Sequence, residues 1–172
     1  MKKIIYSLFI LLFIISCQDS NLTEKEKFIE DLISQMTLEE KVGQMTQINL
    51  TVIAKGPNKF SSSTPMEIDD NRANKALVEY KVGSVLNTIN NTAQKPSVWF
   101  KNISKIQEIS MNNNRLKIPV IYGIDAIHGT TYTDGATMFP QQITTAASWN
   151  PENAYNMAQV CAYETRASSI PW

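Results

Sequence analysis

The chain has 172 residues, with 16 basic and 16 acidic side chains, one histidine and two cysteines. A formal net charge of zero gives no electrostatic reason to expect a nucleic-acid or polyanion partner, and 43% hydrophobic residues is ordinary for a globular protein. The length suits one domain or part of one, and the sequence shows no internal repeat and no long low-complexity tract.

The first segment, "MKKIIYSLFILLFIISC", has the pattern of a bacterial secretory signal. Lys2 and Lys3 supply the positive end, and Ile4 to Ile15 is an apolar run of signal length, short of the about 20 residues a spanning helix needs. The ending "IISC" is similar to a lipoprotein cleavage box, which predicts lipid on Cys17, residues 1–16 as the signal, and a membrane partner reached through that lipid. The protein is then expected to be a secreted lipoprotein anchored in the outer membrane, facing the periplasm or the cell surface. Residues 17–30 form a tether and helix lead-in, and residues 31–172 the domain proper. Cys161 is left without a partner. Ala154, Met157, Ala158 and Ala162 recur around it at helical spacing, so a buried, inert thiol is expected. One histidine and one free cysteine suggest no metal site, and no cofactor is expected.

The pattern predicts a helix over Leu22 to Met36, with Phe28, Ile29, Leu32 and Ile33 along one side. In "MTLEEKVGQM", Thr37 and Glu40 form a capping box, and Leu38, Val42 and Met45 share one helical face; Gly43 weakens that helix or allows close packing. Gln44 to Ile53 can carry a strand. Met66 to Tyr80 reads as helix, Val82 to about Asn87 as strand, and Pro96 to Met111 as helix. There Trp99, Ile103, Ile106 and Ile109 keep the i, i+4, i+7 rhythm. Ile118 to Ile124 is nearly all apolar, which suits a strand covered on both faces in a parallel sheet. Asn150-Pro151-Glu152 starts a helix running to about Ala167, and "SSIPW" begins another strand.

Strands alternating with helices predict an α/β fold with a parallel sheet. Without residues 1–16 the chain falls well short of the about 250 residues of a closed (β/α)8 barrel. The expectation is a small open sheet or an incomplete piece of something larger, and a sequence stopping on the threshold of a strand favours the second.

The apolar run of "IPVIYGIDAIHG" ends abruptly in Asp125, with His128 and Gly129 close behind. In parallel α/β sheets, ligands bind beyond the carboxyl ends of the strands. A carboxylate there can accept from two adjacent sugar hydroxyls at once. Gly123 and Gly129 bracket it and let the backbone turn and a ligand come close. By spacing alone, Asp125 could equally cap its own turn.

"IYGIDAIHG", "ATMFP" (Ala136 to Pro140) and "AYETRASSIPW" (Ala162 to Trp172) resemble the N-terminal domain of glycoside hydrolase family 3, and "MTLEEKVGQMTQ" is similar to the segment that opens that domain. The resemblance runs from about Leu32 to Trp172. It implies the N-terminal portion of a (β/α)8 TIM-type barrel. It also implies hydrolysis of β-linked sugars with retention, through a glycosyl-enzyme intermediate. By the resemblance, Asp125 matches the aspartate that binds sugar hydroxyls in the −1 subsite, and a β-glucoside or oligosaccharide is the partner. His128 belongs to the same block, with a loop-supporting role through its ring; no serine or cysteine nucleophile stands beside it as a partner for a catalytic base. Glu164 and Arg166, two apart on a helix, are expected to pair separately with neighbouring elements. Trp99 and Trp149 could stack on sugar, but packing is the commoner fate. The form Asp-Ala-x-His-Gly resembles the β-glucosidase-like members; xylosidase-like members tend to carry Glu in place of Asp125.

A retaining glycosidase needs a nucleophile and an acid/base about 5–5.5 Å apart. Neither has a match in this sequence, so no catalytic residue is assigned and the chain alone is expected to be inactive. The competing expectation is a non-catalytic glycan-binding lipoprotein that keeps the Asp125 corner.

Overall fold

Two capping boxes set where the first helices begin. The computed structural model describes residues 22–57, 62–90 and 92–172, so the signal segment and the expected lipidation at Cys17 lie outside the described residues. The chain divides into two compact units, Met1–Gln35 and Met36–Trp172. Helix α1 (Glu24–Gln35) belongs to the first. It begins after the predicted Leu22 because Thr23 and Glu26 close a box: Glu26 Oε2 accepts from the Thr23 N–H at 2.7 Å, and Thr23 Oγ1 from the Glu26 N–H at 3.3 Å. Its Phe28, Ile29 and Ile33 are exposed.

In the second unit, α2 (Leu38–Gln44) starts at the predicted box. Glu40 Oε2 accepts from the Thr37 N–H at 2.9 Å, and Thr37 Oγ1 from the Glu40 N–H at 3.2 Å. Such a cap contributes about 1 kcal/mol. The Thr37 N–H, and after it Arg115, hold the Glu40 carboxyl below the usual carboxylate range. The stability this adds is present above the unfolded-state value and is lost as pH falls through the lowered one. The predicted face of Leu38, Val42 and Met45 is exposed instead of packed. The side that packs is the one carrying Gly43, where a Cβ would sit 2.5 Å from the Lys81 carbonyl oxygen and 2.6 Å from that of Tyr80. The glycine is there for the close approach of two backbones.

Among the described residues, the sheet has three parallel strands in the order β1 (Gln47–Asn49), β2 (Ser84–Leu86), β3 (Ile121–Gly123). Each is shorter than predicted. After β1, Asn49 Oδ1 accepts from the Thr51 N–H at 3.0 Å and starts a 3-10 turn over Leu50–Val52, which ends the strand early. The predicted helix from Met66 begins only at α3 (Asp70–Asn74), where Asp69 is the N-cap. Ile68 is spent on an antiparallel bridge to Ala54. The helix then widens into a π turn, Lys75–Glu79. Helix α4 (Pro96–Asn113) keeps the predicted rhythm, with Trp99, Ile103, Ile106 and Ile109 buried.

Register puts Ile48, Val85 and Tyr122 side by side across the sheet. Val85 and Tyr122 are fully buried in one core with Leu77, Trp99 and Ile106. Alternation places the other residues of β3 on the opposite face, and Ile121 there is 55% exposed. Gly123, on that same opposite face, is buried against Trp172, so the expectation of a strand covered on both faces holds for the face lined by the helices and in part for the other.

A short helix, α5 (Gln142–Ala146), was not visible in the pattern. Helix α6 (Pro151–Ala167) starts as predicted, with Asn150 Oδ1 accepting from the Glu152 N–H at 3.1 Å. Within it only Thr165 is buried, and Tyr155, Val160 and Tyr163 are exposed. "SSIPW" forms no assigned strand, yet the Trp172 carbonyl accepts from the Ile124 N–H at 3.0 Å, on the free side of β3.

Candidate functional site

The carboxyl edge of the sheet gathers side chains from adjacent strands. Asp125 follows β3 and is exposed. Its Oδ2 accepts from Asn87 Nδ2 at 3.2 Å. Asn87 follows β2, so the partner comes from the neighbouring strand and not from the turn of Asp125 itself. Asn87 stands in the left-handed region, at φ 75°. Its N–H donates to the Gly123 carbonyl at 2.8 Å, and its carbonyl accepts from the Tyr122 hydroxyl at 2.7 Å. Burial pushes the Tyr122 phenol well above its ordinary value, which keeps it a donor there. The Tyr122 ring meets Trp99 edge to face, centroids 5.9 Å apart.

The long loop after Asp125 is pinned at several points. The Phe139 N–H donates to the His128 carbonyl at 2.8 Å, and His128 Nδ1 lies 3.1 Å from the Phe139 carbonyl oxygen. A carbonyl oxygen only accepts, so Nδ1 carries the ring proton. Glu164 grips the same loop: Oε2 accepts from the Thr137 N–H at 2.9 Å and Oε1 from the Thr137 hydroxyl at 2.8 Å. Arg166 points elsewhere, its Nη1 3.5 Å from the Pro171 carbonyl. A hydroxyl ladder joins the loop to α6, through Thr130 and Thr165 at 2.7 Å and Thr133 and Ser168 at 2.9 Å.

Two expectations need correction. Gly129 does stand at a positive φ of 111°, with the Thr137 carbonyl against the space a Cβ would fill. Gly123 does not; a Cβ there would lie 2.5 Å from the Trp172 ring, so it makes room for the protein's own tryptophan and not for a ligand. Cys161 is half-buried and not sealed in a core. It lines an open groove of 650 Å³ with Ile124, Ile127, Met157, Ile170 and Trp172, because α6 leaves that side uncovered. Asp125 does not line this groove. Trp99 is wholly buried and Trp149 is 93% exposed, at the turn before α6. Among the described residues, no group of three or more His, Cys, Asp or Glu side chains is placed to hold a metal ion.

Sequence reasoning missed Asn87 and Tyr122. The strand-end rule that singles out Asp125 applies equally to "SVLN", and an asparagine just past a strand is a common left-handed residue.

Residues 37–172 match the family model described as the glycosyl hydrolase family 3 N terminal domain. The chain is 34% identical over 163 residues to the lysosomal beta glucosidase of Dictyostelium discoideum, covering 88% of this chain and 18% of that protein. It is 29% identical over 140 residues to the periplasmic beta-glucosidase of Salmonella typhimurium, covering 81% and 15%. A solved structure, a glycoside hydrolase family 3 beta-N-acetylglucosaminidase from Paenibacillus sp. str. FPU-7, superposes with a TM-score of 0.61 at 27% identity, covering 78% of this chain and 23% of that one. The chain thus spans under a fifth of the length of the curated relatives it matches. Its parallel β/α units are the N-terminal portion of a (β/α)8-type barrel. The order of blocks around Asp125, the parallel sheet beneath them and the match over residues 37–172 agree: this chain belongs to glycoside hydrolase family 3.

Proposed function

We propose that Asp125 binds hydroxyls of the terminal sugar of a β-linked glucoside or oligosaccharide, as the sugar-holding part of a β-glucosidase-like exo-hydrolase acting with retention. One observation carries the reading: an exposed carboxylate at the carboxyl edge of a parallel sheet, held by a partner from the next strand. The names of the Dictyostelium and Salmonella relatives support glucosides as the substrate class. His128 serves as a loop support in this reading, through its contacts with Phe139.

These 172 residues hold sugar without cleaving it. Glu164, the carboxylate of the matching helix block, engages Thr137 through both oxygens and in this reading serves to hold the loop. The experiment is calorimetry of the full chain with glucose and cello-oligosaccharides, beside assay with an aryl β-glucoside. Asp125→Ala should weaken binding by about 1.5–3 kcal/mol, roughly ten- to a hundredfold, the cost of losing hydrogen bonds to a charged group. Equal affinity in the variant contradicts the site, and enzyme-like turnover by the full chain contradicts the non-cleaving role.

The chain is further proposed to act outside the cytoplasm, with residues 1–16 as signal, 17–30 as tether, 31–172 as the barrel portion, and lipid on Cys17. The signal pattern supports this, as does the periplasmic relative. Labelled fatty acid should enter the wild-type chain in a bacterial host and not Cys17→Ser; equal labelling of both defeats the assignment.

A further inference from the structure

We propose that Asn87 is a positioning residue for Asp125, orienting the carboxylate through its side-chain amide; the inference rests on Asp125 being the sugar-binding group. The left-handed backbone of Asn87 could by itself explain an asparagine, since asparagine and glycine both tolerate that region. The side chain does more than satisfy that requirement. Its Oδ1 accepts from the Thr88 N–H at 3.1 Å, which turns Nδ2 toward Asp125. The amide has one orientation that satisfies both neighbours, because a backbone N–H can only donate and a carboxylate only accept.

The backbone of Asn87 is fixed as firmly. Its N–H and carbonyl are taken by Gly123 and by the hydroxyl of Tyr122, a residue with no exposure. Trp99 backs Tyr122 in turn. A continuous path therefore runs from the core to the exposed carboxylate, through Trp99, Tyr122 and Asn87. Among the described residues, Asp125 Oδ1 and the second Nδ2 proton of Asn87 are engaged by no other group. An acceptor and a donor presented side by side suit a vicinal diol, in which one hydroxyl donates and its neighbour accepts. The pair would thus read adjacent ring hydroxyls of a pyranose.

Two substitutions separate orientation from backbone conformation. Asn87→Gly keeps the left-handed residue and removes the amide; Asn87→Asp keeps the shape and replaces the donor by an acceptor. In the full chain, both should leave the thermal midpoint close to wild type and weaken cello-oligosaccharide binding about tenfold, the size of one charge-assisted hydrogen bond. A second readout needs no sugar: the Asn87 side-chain amide resonances in a ¹H–¹⁵N spectrum should move in Asp125→Ala. If Asp125→Ala weakens binding while both Asn87 variants bind as wild type, the positioning role is overturned and the sugar site stands. If the wild-type chain takes up no sugar, the sugar site itself fails; the resonances then decide, movement supporting the orienting contact and an unmoved amide overturning it.

Discussion

Trp99→Ala should lower the unfolding free energy by about 3–5 kcal/mol, the range for removing a large buried aromatic side chain. Trp99 has no exposure and stands in the first turn of α4, where the helix, the sheet and the long loop meet. Its ring packs edge to face on Tyr122, and its Nε1 donates to the Tyr132 carbonyl at 3.1 Å. Alanine removes both contacts and leaves a cavity, while the Tyr132 carbonyl keeps the Gln94 N–H at 2.8 Å as its remaining donor. Trp99→Phe separates the parts, since it keeps most of the ring and loses the N–H; with the Tyr132 carbonyl still paired to Gln94, the lost hydrogen bond should cost about 0.5–1.5 kcal/mol. Urea denaturation followed by circular dichroism measures both. A loss below about 1 kcal/mol in the alanine variant would mean that the core is not organised around this residue. The same substitution should weaken sugar binding, because Tyr122 loses the ring behind it.

Gly129→Ala should be the most damaging single methyl in the loop. At φ 111° any L side chain is strained, and the added Cβ meets the Thr137 carbonyl, a backbone atom that cannot rotate away. Strain alone is worth about 1–2 kcal/mol, and overpacking adds about 1–3 kcal/mol. Relief requires the chain around Thr137 to move, which breaks the Glu164 grip and the pairing of His128 with Phe139. Gly135→Ala is the control. It too stands at positive φ, 82°, but a Cβ there meets nothing within 4 Å, so only the strain remains. Limited proteolysis should cut the Gly129→Ala loop much faster than wild type, with Gly135→Ala close to wild type. Equal susceptibility of the two variants would show that the Thr137 contact does not lock the loop.

Much of this is legible in the sequence alone, and the legible parts share a property. The capping box of Thr37 and Glu40, the Asn150-Pro151 helix start and the rhythm from Trp99 to Ile109 all depend on residues within about three helical turns of one another. Asp125 was visible because an apolar strand ending in a charge is a local contradiction. The block resemblance then named the family that the match over residues 37–172 establishes.

Long-range contacts decided the rest. Periodicity could say that "QINLTVI" has strand character, but the length of β1 depended on the Asn49 turn and on which residues found partners in β2. Leu38, Val42 and Met45 made a good helical face on paper; the neighbour they needed is absent among the described residues, and Gly43 packs instead. Gly123 faces Trp172, and Asp125 is held by Asn87, across distances in sequence that no spacing rule spans. Local order follows from short-range sterics and hydrogen bonding, which each short stretch carries within itself. Which carboxylate is held, and by what, follows from strand register, and register exists only once the strands have paired.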